Sequence, residues 1–96
     1  MKYTILPEAE SELIDAVTFL NSRERNLGLE FAAEVHETIE RILENPAAWP
    51  VLRGPVKRAI TRRFPYSIFF VVEPDGIQVV AISHSSRQPD FWHDRL

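Results

Sequence analysis

His84, Arg87 and His93 fall close together in the chain, within the run Ser83-His84-Ser85-Ser86-Arg87-Gln88-Pro89 and the Phe91-Trp92-His93 that follows it. Imidazole titrates near neutral pH, and a guanidinium can stabilise charge growing on phosphate oxygens. These three could therefore act as acid, base and electrostatic clamp in phosphoryl chemistry. A histidine at the end of a strand serves equally well as a structural hydrogen-bonding group. Arg53, Lys57, Arg58, Arg62, Arg63 and Arg95 extend the cationic set into a surface able to hold phosphates through guanidinium forks. Phe64, Tyr66, Phe91 and Trp92 lie among them and could stack on bases. The competing reading is that the arginines pair with acidic helices or a protein partner, and that the aromatic rings are core.

Other chemistries lack their residues. Ser83-His84-Ser85-Ser86 has no G-x-S-x-G around it, and neighbouring residues of an extended strand face opposite ways, so it is not a nucleophile elbow. His36, His84 and His93 show no ligand spacing such as H-E-x-x-H, so no metal and no other cofactor is expected. Gly28, Gly54 and Gly76 are the only glycines, too few for a phosphate-cradling loop, and there is no cysteine. Absence of cysteine rules out disulfides and suits a reducing cytoplasm, the expected compartment. The first residues do not read as a secretory signal, and no run approaches the roughly 20 apolar residues of a membrane helix.

With 96 residues, 45% of them hydrophobic and 26% charged, the chain is expected to form one domain over residues 1–96. The net charge of −3 is unevenly spread. Residues 1–50 hold four Lys/Arg against ten Asp/Glu, and residues 51–96 hold seven against four. Such asymmetry marks either one face that meets an anion or two helices with solvated glutamates.

The elements that must position these groups follow from periodicity. Residues 2–6 read as a strand stopped by Pro7, which suits the first position of a helix, with Glu8, Glu10 and Glu12 near the positive end of its dipole. Ala9, Leu13, Ala16, Val17 and Leu20 make one apolar stripe of that helix, to about residue 22. After a polar turn over 21–26, Phe31, Val35, Ile39, Ile42 and Leu43 make the stripe of a second, with Glu30, Glu34, Glu37, Arg41 and Glu44 expected elsewhere. Asn45-Pro46 ends it. Three prolines and Gly54 make 45–56 a stiffened loop, with Trp49 plugging the core. A strand over 57–61, continued by Arg62-Arg63-Phe64-Pro65, leads to a hairpin of Tyr66–Glu73 and Gly76–His84. Its turn is Pro74-Asp75-Gly76, with a positive φ expected at the glycine. Both hairpin strands are almost continuously apolar, so both faces should be covered, by the helices on one side and by the tail, a loop or a partner on the other.

In this order the pieces Leu27-Gly28 before Phe31, Pro46 with Trp49-Pro50, Arg58, Phe64-Pro65-Tyr66-x-Ile68-x-Phe70 and His84-x-x-Arg87-x-Pro89-x-x-Trp92 resemble the RelE/ParE superfamily of bacterial type II toxin–antitoxin toxins. The resemblance spans nearly the whole chain. It implies an α+β fold: an N-terminal strand, an α-helical hairpin packed on a small, mainly antiparallel twisted sheet, and a short C-terminal tail. It also implies a cognate antitoxin partner and a hetero-oligomer with it. RelE-like members cut messenger RNA at the ribosome, and ParE-like members inhibit DNA gyrase. Arg58 and Arg87 fall where RelE-like toxins carry catalytic basic residues, which with His84 and His93 would be the nuclease set. No tyrosine lies beyond Tyr66, and Trp92 and His93 stand where such nucleases usually carry a C-terminal tyrosine or histidine, so the chain looks closer to the ParE side. Arg58, Arg62, Arg63, Arg87, Trp92 and Arg95 are then the residues expected to bind target or antitoxin. A non-toxic, toxin-derived binding module is the remaining alternative.

Overall fold

A computed structural model describes residues 2–87 and 90–96; Gln88 and Pro89, part of the motif quoted above, lie outside them. Strand β1 (Lys2–Ile5) leads through Leu6 into helix α1 (Pro7–Arg23). Pro7 opens the helix, with Glu8 and Glu10 in the first turn where the dipole favours them. Asn26, in the left-handed region at φ 67°, turns the chain into α2 (Leu27–Glu44). Asparagine tolerates that conformation better than most residues. The helical hairpin closes at Gly28: its N–H donates to Asn21 Oδ1 at 2.7 Å, and a Cβ there would stand 2.2 Å from the Val17 carbonyl oxygen. Only glycine lets the two backbones come so near.

After a 3₁₀ turn at Pro46–Ala48 come β2 (Val51–Arg53), β3 (Val56–Ile60), β4 (Tyr66–Glu73) and β5 (Gly76–His84). They form one five-stranded sheet in the order β1-β5-β4-β3-β2. β1 runs parallel to β5 and the other pairs are antiparallel. The proline-rich segment expected to be loop thus contributes an edge strand. Residues 61–65, expected to prolong β3, instead form the connection to β4, in which Thr61 Oγ1 donates to the Phe64 carbonyl at 2.6 Å. The hairpin turn is shorter than expected as well. Pro74 and Asp75 alone join the strands, because Gly76 is already paired with Glu73. Gly54 is the glycine with positive φ among the described residues. Gly76 is needed for another reason: β1 passes so close that a Cβ would collide with the Lys2 carbonyl oxygen.

Two cores sandwich the sheet. Phe31, Val35, Ile39 and Ile42 of α2 and Ala9, Ala16 and Leu20 of α1 pack on Ala59, Ile68, Phe70, Ile77, Val79 and Ile82. On the opposite face Val56, Phe69, Val80 and Ala81 are covered by Trp92, 1% exposed, with Phe91 beside it. Val80 and Ala81 are consecutive, yet both belong to this second core. The register shift between Phe69 and Phe70 makes that possible, since a bulge releases one residue from strict alternation. Thus the tail covers the face left by the helices. None of the helices is long and apolar enough to cross a membrane among the described residues.

Candidate functional site

At the end of the hairpin the open face of the sheet forms a cleft of about 380 Å³ lined by Leu52, Arg58, Ser67, Phe69, His84, Ser85, Ser86, Arg87 and Phe91. Arg58 comes from β3, where it pairs across the strands with Phe69. Alternation puts its side chain on the face away from the helices, next to Ser67 on β4. His84 ends β5, and the turn after it, closed by the Arg87 N–H to the His84 carbonyl at 3.0 Å, returns Arg87 to the same cleft. Arg58, His84 and Arg87 are therefore brought together. His93, in the terminal turn His93–Arg95, is not among the residues lining the cleft.

The histidine is committed locally. Nδ1 of His84 accepts the Ser86 N–H at 3.1 Å and lies 2.8 Å from Ser86 Oγ. In the neutral ring the proton accordingly sits on Nε2, which leaves that nitrogen as a donor with no lone pair for base catalysis. The Arg87 guanidinium lies 3.8 Å from the centre of the Phe91 ring and its Nη1 contacts Glu12 Oε2 at 2.9 Å. It faces the cleft as a stacked, neutralised group.

Glu12 is the residue that sequence reasoning missed. Its carboxylate receives Arg95 bidentately at 2.8 and 3.0 Å, the Ile82 N–H at 3.1 Å and Arg87. Arg95 also donates to the Val80 carbonyl at 3.0 Å. β1 pairs with β5 only as far as Val79, so the next edge groups of β5 need other partners. Glu12 and Arg95 supply them. The signal was present in the spacing. Glu12 lies three residues after Ala9 and four before Ala16, inside the buried stripe rather than on the solvent side. The hydrogen bonds that Arg95 donates to Glu12 raise the arginine's pKa above its ordinary value, against the opposing effect of burial.

The remaining arginines are spread out instead of sharing one rim. Arg63 contacts Glu30 at 2.9 Å and Arg62 contacts Glu37 at 3.7 Å, both on α2. Arg63's pKa is raised by its hydrogen bond with Glu30. Arg53 pairs with Asp90. Glu34, expected to face away from the core, is buried instead; it caps the connection after β3 by accepting the Arg63 N–H at 2.9 Å. Spacing explains this too, because Glu34 falls between Phe31 and Thr38 on the stripe. Trp92 lies inside the second core, where its indole holds the tail in place. Arg58 is the exception among the arginines of residues 51–96: among the described residues it has no ion pair. Beside it a second hollow of about 400 Å³ is lined by Trp49, Pro50, Val51, Leu52, Arg58 and Ile60.

A helical hairpin on a small mixed sheet, with a tail pinned across the other face and arginines at the strand ends, defines a small toxin domain of the RelE/ParE superfamily. The chain belongs to the family described as the ParE toxin of the type II toxin–antitoxin system, parDE, whose sequence model matches residues 3–89. Its fold is similar to a chain of the chromosomal ParDE toxin–antitoxin system from P. aeruginosa, with a TM-score of 0.76, 17% sequence identity, and coverage of 88% of this chain and 95% of that one. A search among curated proteins found no match. The protein is therefore a toxin component of a type II toxin–antitoxin module.

Proposed function

We propose that this toxin arrests growth in the cytoplasm by binding DNA gyrase, without hydrolysing a substrate, and that a cognate antitoxin neutralises it in a hetero-oligomeric complex. Membership of the ParE family over most of the chain carries the proposal. Geometry supports it. In the cleft that gathers Arg58 and Arg87, Nδ1 of His84 is already engaged by the Ser86 N–H, and the carboxylate beside Arg87, Glu12, is already held by Arg95. Arg62 and Arg63 are the basic residues best placed to meet the target. Their pairs with α2 are exposed and screened by water, so a target carboxylate can displace them. Trp92 and Arg95 contribute through the tail that they fix. A supercoiling assay with purified gyrase tests the reading: inhibition by stoichiometric toxin is expected, and unchanged supercoiling at large excess defeats it.

One observation favours a second reading, ribosome-dependent cleavage of messenger RNA: Arg58 and Arg87 do share a cleft. Primer extension on ribosome-bound message, with wild type and Arg87→Ala, separates the two. Cuts that vanish in the variant would establish the nuclease.

A further inference from the structure

Ser86 has no part in the function proposed above, yet its surroundings are those of an activated nucleophile. It is exposed and lines the cleft of about 380 Å³. Its Oγ lies 2.8 Å from Nδ1 of His84, nearer than its own N–H at 3.1 Å. Because Nδ1 accepts that N–H, the hydroxyl is a donor in the contact. The engagement that withholds Nδ1 from a bound substrate thus places it against Ser86. A hydroxyl and an imidazole within hydrogen-bond reach, with the base oriented by a third group, are the signature of nucleophilic catalysis. Tyr66 orients the base here: its ring meets the imidazole at 75°, with centroids 5.3 Å apart. The turn is tied at both ends, by the Ser85 N–H to the Pro65 carbonyl at 2.7 Å and the Arg87 N–H to the His84 carbonyl at 3.0 Å.

The rest of the cleft suits an electrophile that carries negative charge. Ser67 lines it and is 1% exposed, yet its hydroxyl has no hydrogen-bond partner. A buried donor left open in this way can serve a carbonyl oxygen on which charge is growing. The cleft also holds a guanidinium, that of Arg58, with no ion pair among the described residues. A departing phosphate would be held there by charge-assisted hydrogen bonds. Leu52, Phe69 and Phe91 supply an apolar wall for a short carbon chain. An acyl phosphate brings the carbonyl, the phosphate and the carbon chain together in one small molecule.

We propose that Ser86 is a self-acylation site, whose hydroxyl takes the acyl group of a small acyl phosphate with His84 as its base. In this step Ser86 Oγ forms a bond to the carbonyl carbon, and the bond from that carbon to the bridging phosphate oxygen breaks. The hydroxyl proton passes to His84 Nδ1 and from there to the departing phosphate. The products are an O-acylserine and inorganic phosphate, with nothing oxidised or reduced. Acylation also removes the hydroxyl donor from Nδ1, so it changes the turn that carries Arg87. Gyrase binding needs neither this step nor Ser86, and the two proposals stand or fall separately.

The test incubates the purified toxin with acetyl phosphate and locates the modification by peptide mass spectrometry. Wild type is expected to gain an acetyl ester at Ser86 well ahead of Ser85, which lines the same cleft and is also exposed. Hydroxylamine cleaves the ester and leaves amides formed on Lys2 and Lys57. His84→Asn keeps an acceptor for the Ser86 N–H but cannot take the proton, and should slow the reaction at least about 100-fold. Ser67→Ala should slow it at least about tenfold. Ser86→Ala should abolish the ester, with circular dichroism confirming that each variant is folded. The preference for Ser86 over Ser85 is read on wild type, so the test survives a variant that fails to fold. Absence of the ester, equal labelling of Ser85 and Ser86, or an unchanged rate in His84→Asn overturns the proposal. Phosphoserine at Ser86 in place of the ester overturns it too, because attack would then fall on phosphorus. Failure of the wild-type toxin to inhibit gyrase would remove the target reading and leave this result standing.

Discussion

Replacing Glu12 by glutamine keeps the shape of the side chain and removes the charge that holds three segments together. In the native protein this carboxylate, 14% exposed, neutralises Arg95, also 14% exposed, and receives Arg87 and the Ile82 N–H. Removing one partner of a fully buried pair costs about 3–5 kcal/mol, and exposed pairs are worth about 0–1 kcal/mol. The Glu12 site lies nearer the buried limit, and glutamine retains one acceptor oxygen. The expected loss is therefore about 2–3 kcal/mol, which for a domain of this size lowers Tm by roughly 10–20 °C. Arg95's pKa is raised in the folded state, so its contribution is complete below the unfolded arginine value and is lost only as pH rises past it. The arginine thus adds no pH dependence to the loss across the neutral range. Urea denaturation of wild type, Glu12→Gln, Arg95→Met and the double variant gives both the stability change and the coupling energy. Glu10→Gln, on the exposed side of the same helical turn, serves as the control. A Glu12→Gln loss below about 0.5 kcal/mol, like that of an ordinary surface substitution, would refute the reasoning.

Gly28→Ala is expected to destabilise by at least about 1–3 kcal/mol, the range for overpacking, because its Cβ meets backbone at 2.2 Å where a rotamer change cannot relieve it. Thermal denaturation followed by circular dichroism checks this. Burial raises the Tyr66 pKa above its ordinary value, so its contribution to stability is complete below the unfolded tyrosine value near 10 and is lost as pH rises through the higher folded value. Titration of phenolate absorbance should show a step above pH ~10 that disappears in Tyr66→Phe.

The elements with a clear period were legible in the sequence, and those held by partners distant in the chain were not. Both helices, the long hairpin and the covering of its second face follow from Pro7, the two apolar stripes and the unbroken apolar run of β4 and β5. The strand at Val51–Arg53 escaped notice because three exposed residues among prolines carry no alternation; only pairing with β3 makes them a strand. Gly76 was given the wrong role for a similar reason: its need for a missing Cβ arises from Lys2, which is far away in the chain. At the site, residue type and order grouped His84 and Arg87 with His93, which does not line the cleft, and Arg58, which does, entered only through the family resemblance. That the arginines pair with the acidic helices was one of the readings left open, but which acid each one meets was not legible, because the length of these side chains lets them reach either helix. Glu12 and Glu34 could have been found by asking which charged residues interrupt an apolar stripe.

The joining of β1 to β5 and of Glu12 to Arg95 also has a consequence in time. The carboxylate and its guanidinium are 83 residues apart, and the first strand finds its neighbour only after the hairpin turn has been made. Contacts so distant form late, since the intervening chain must first surrender its freedom. While the polypeptide is still growing on the ribosome, its opening strand has no place to dock and its sheet has no lock, so the poison is finished only once nearly the whole of it has been synthesised.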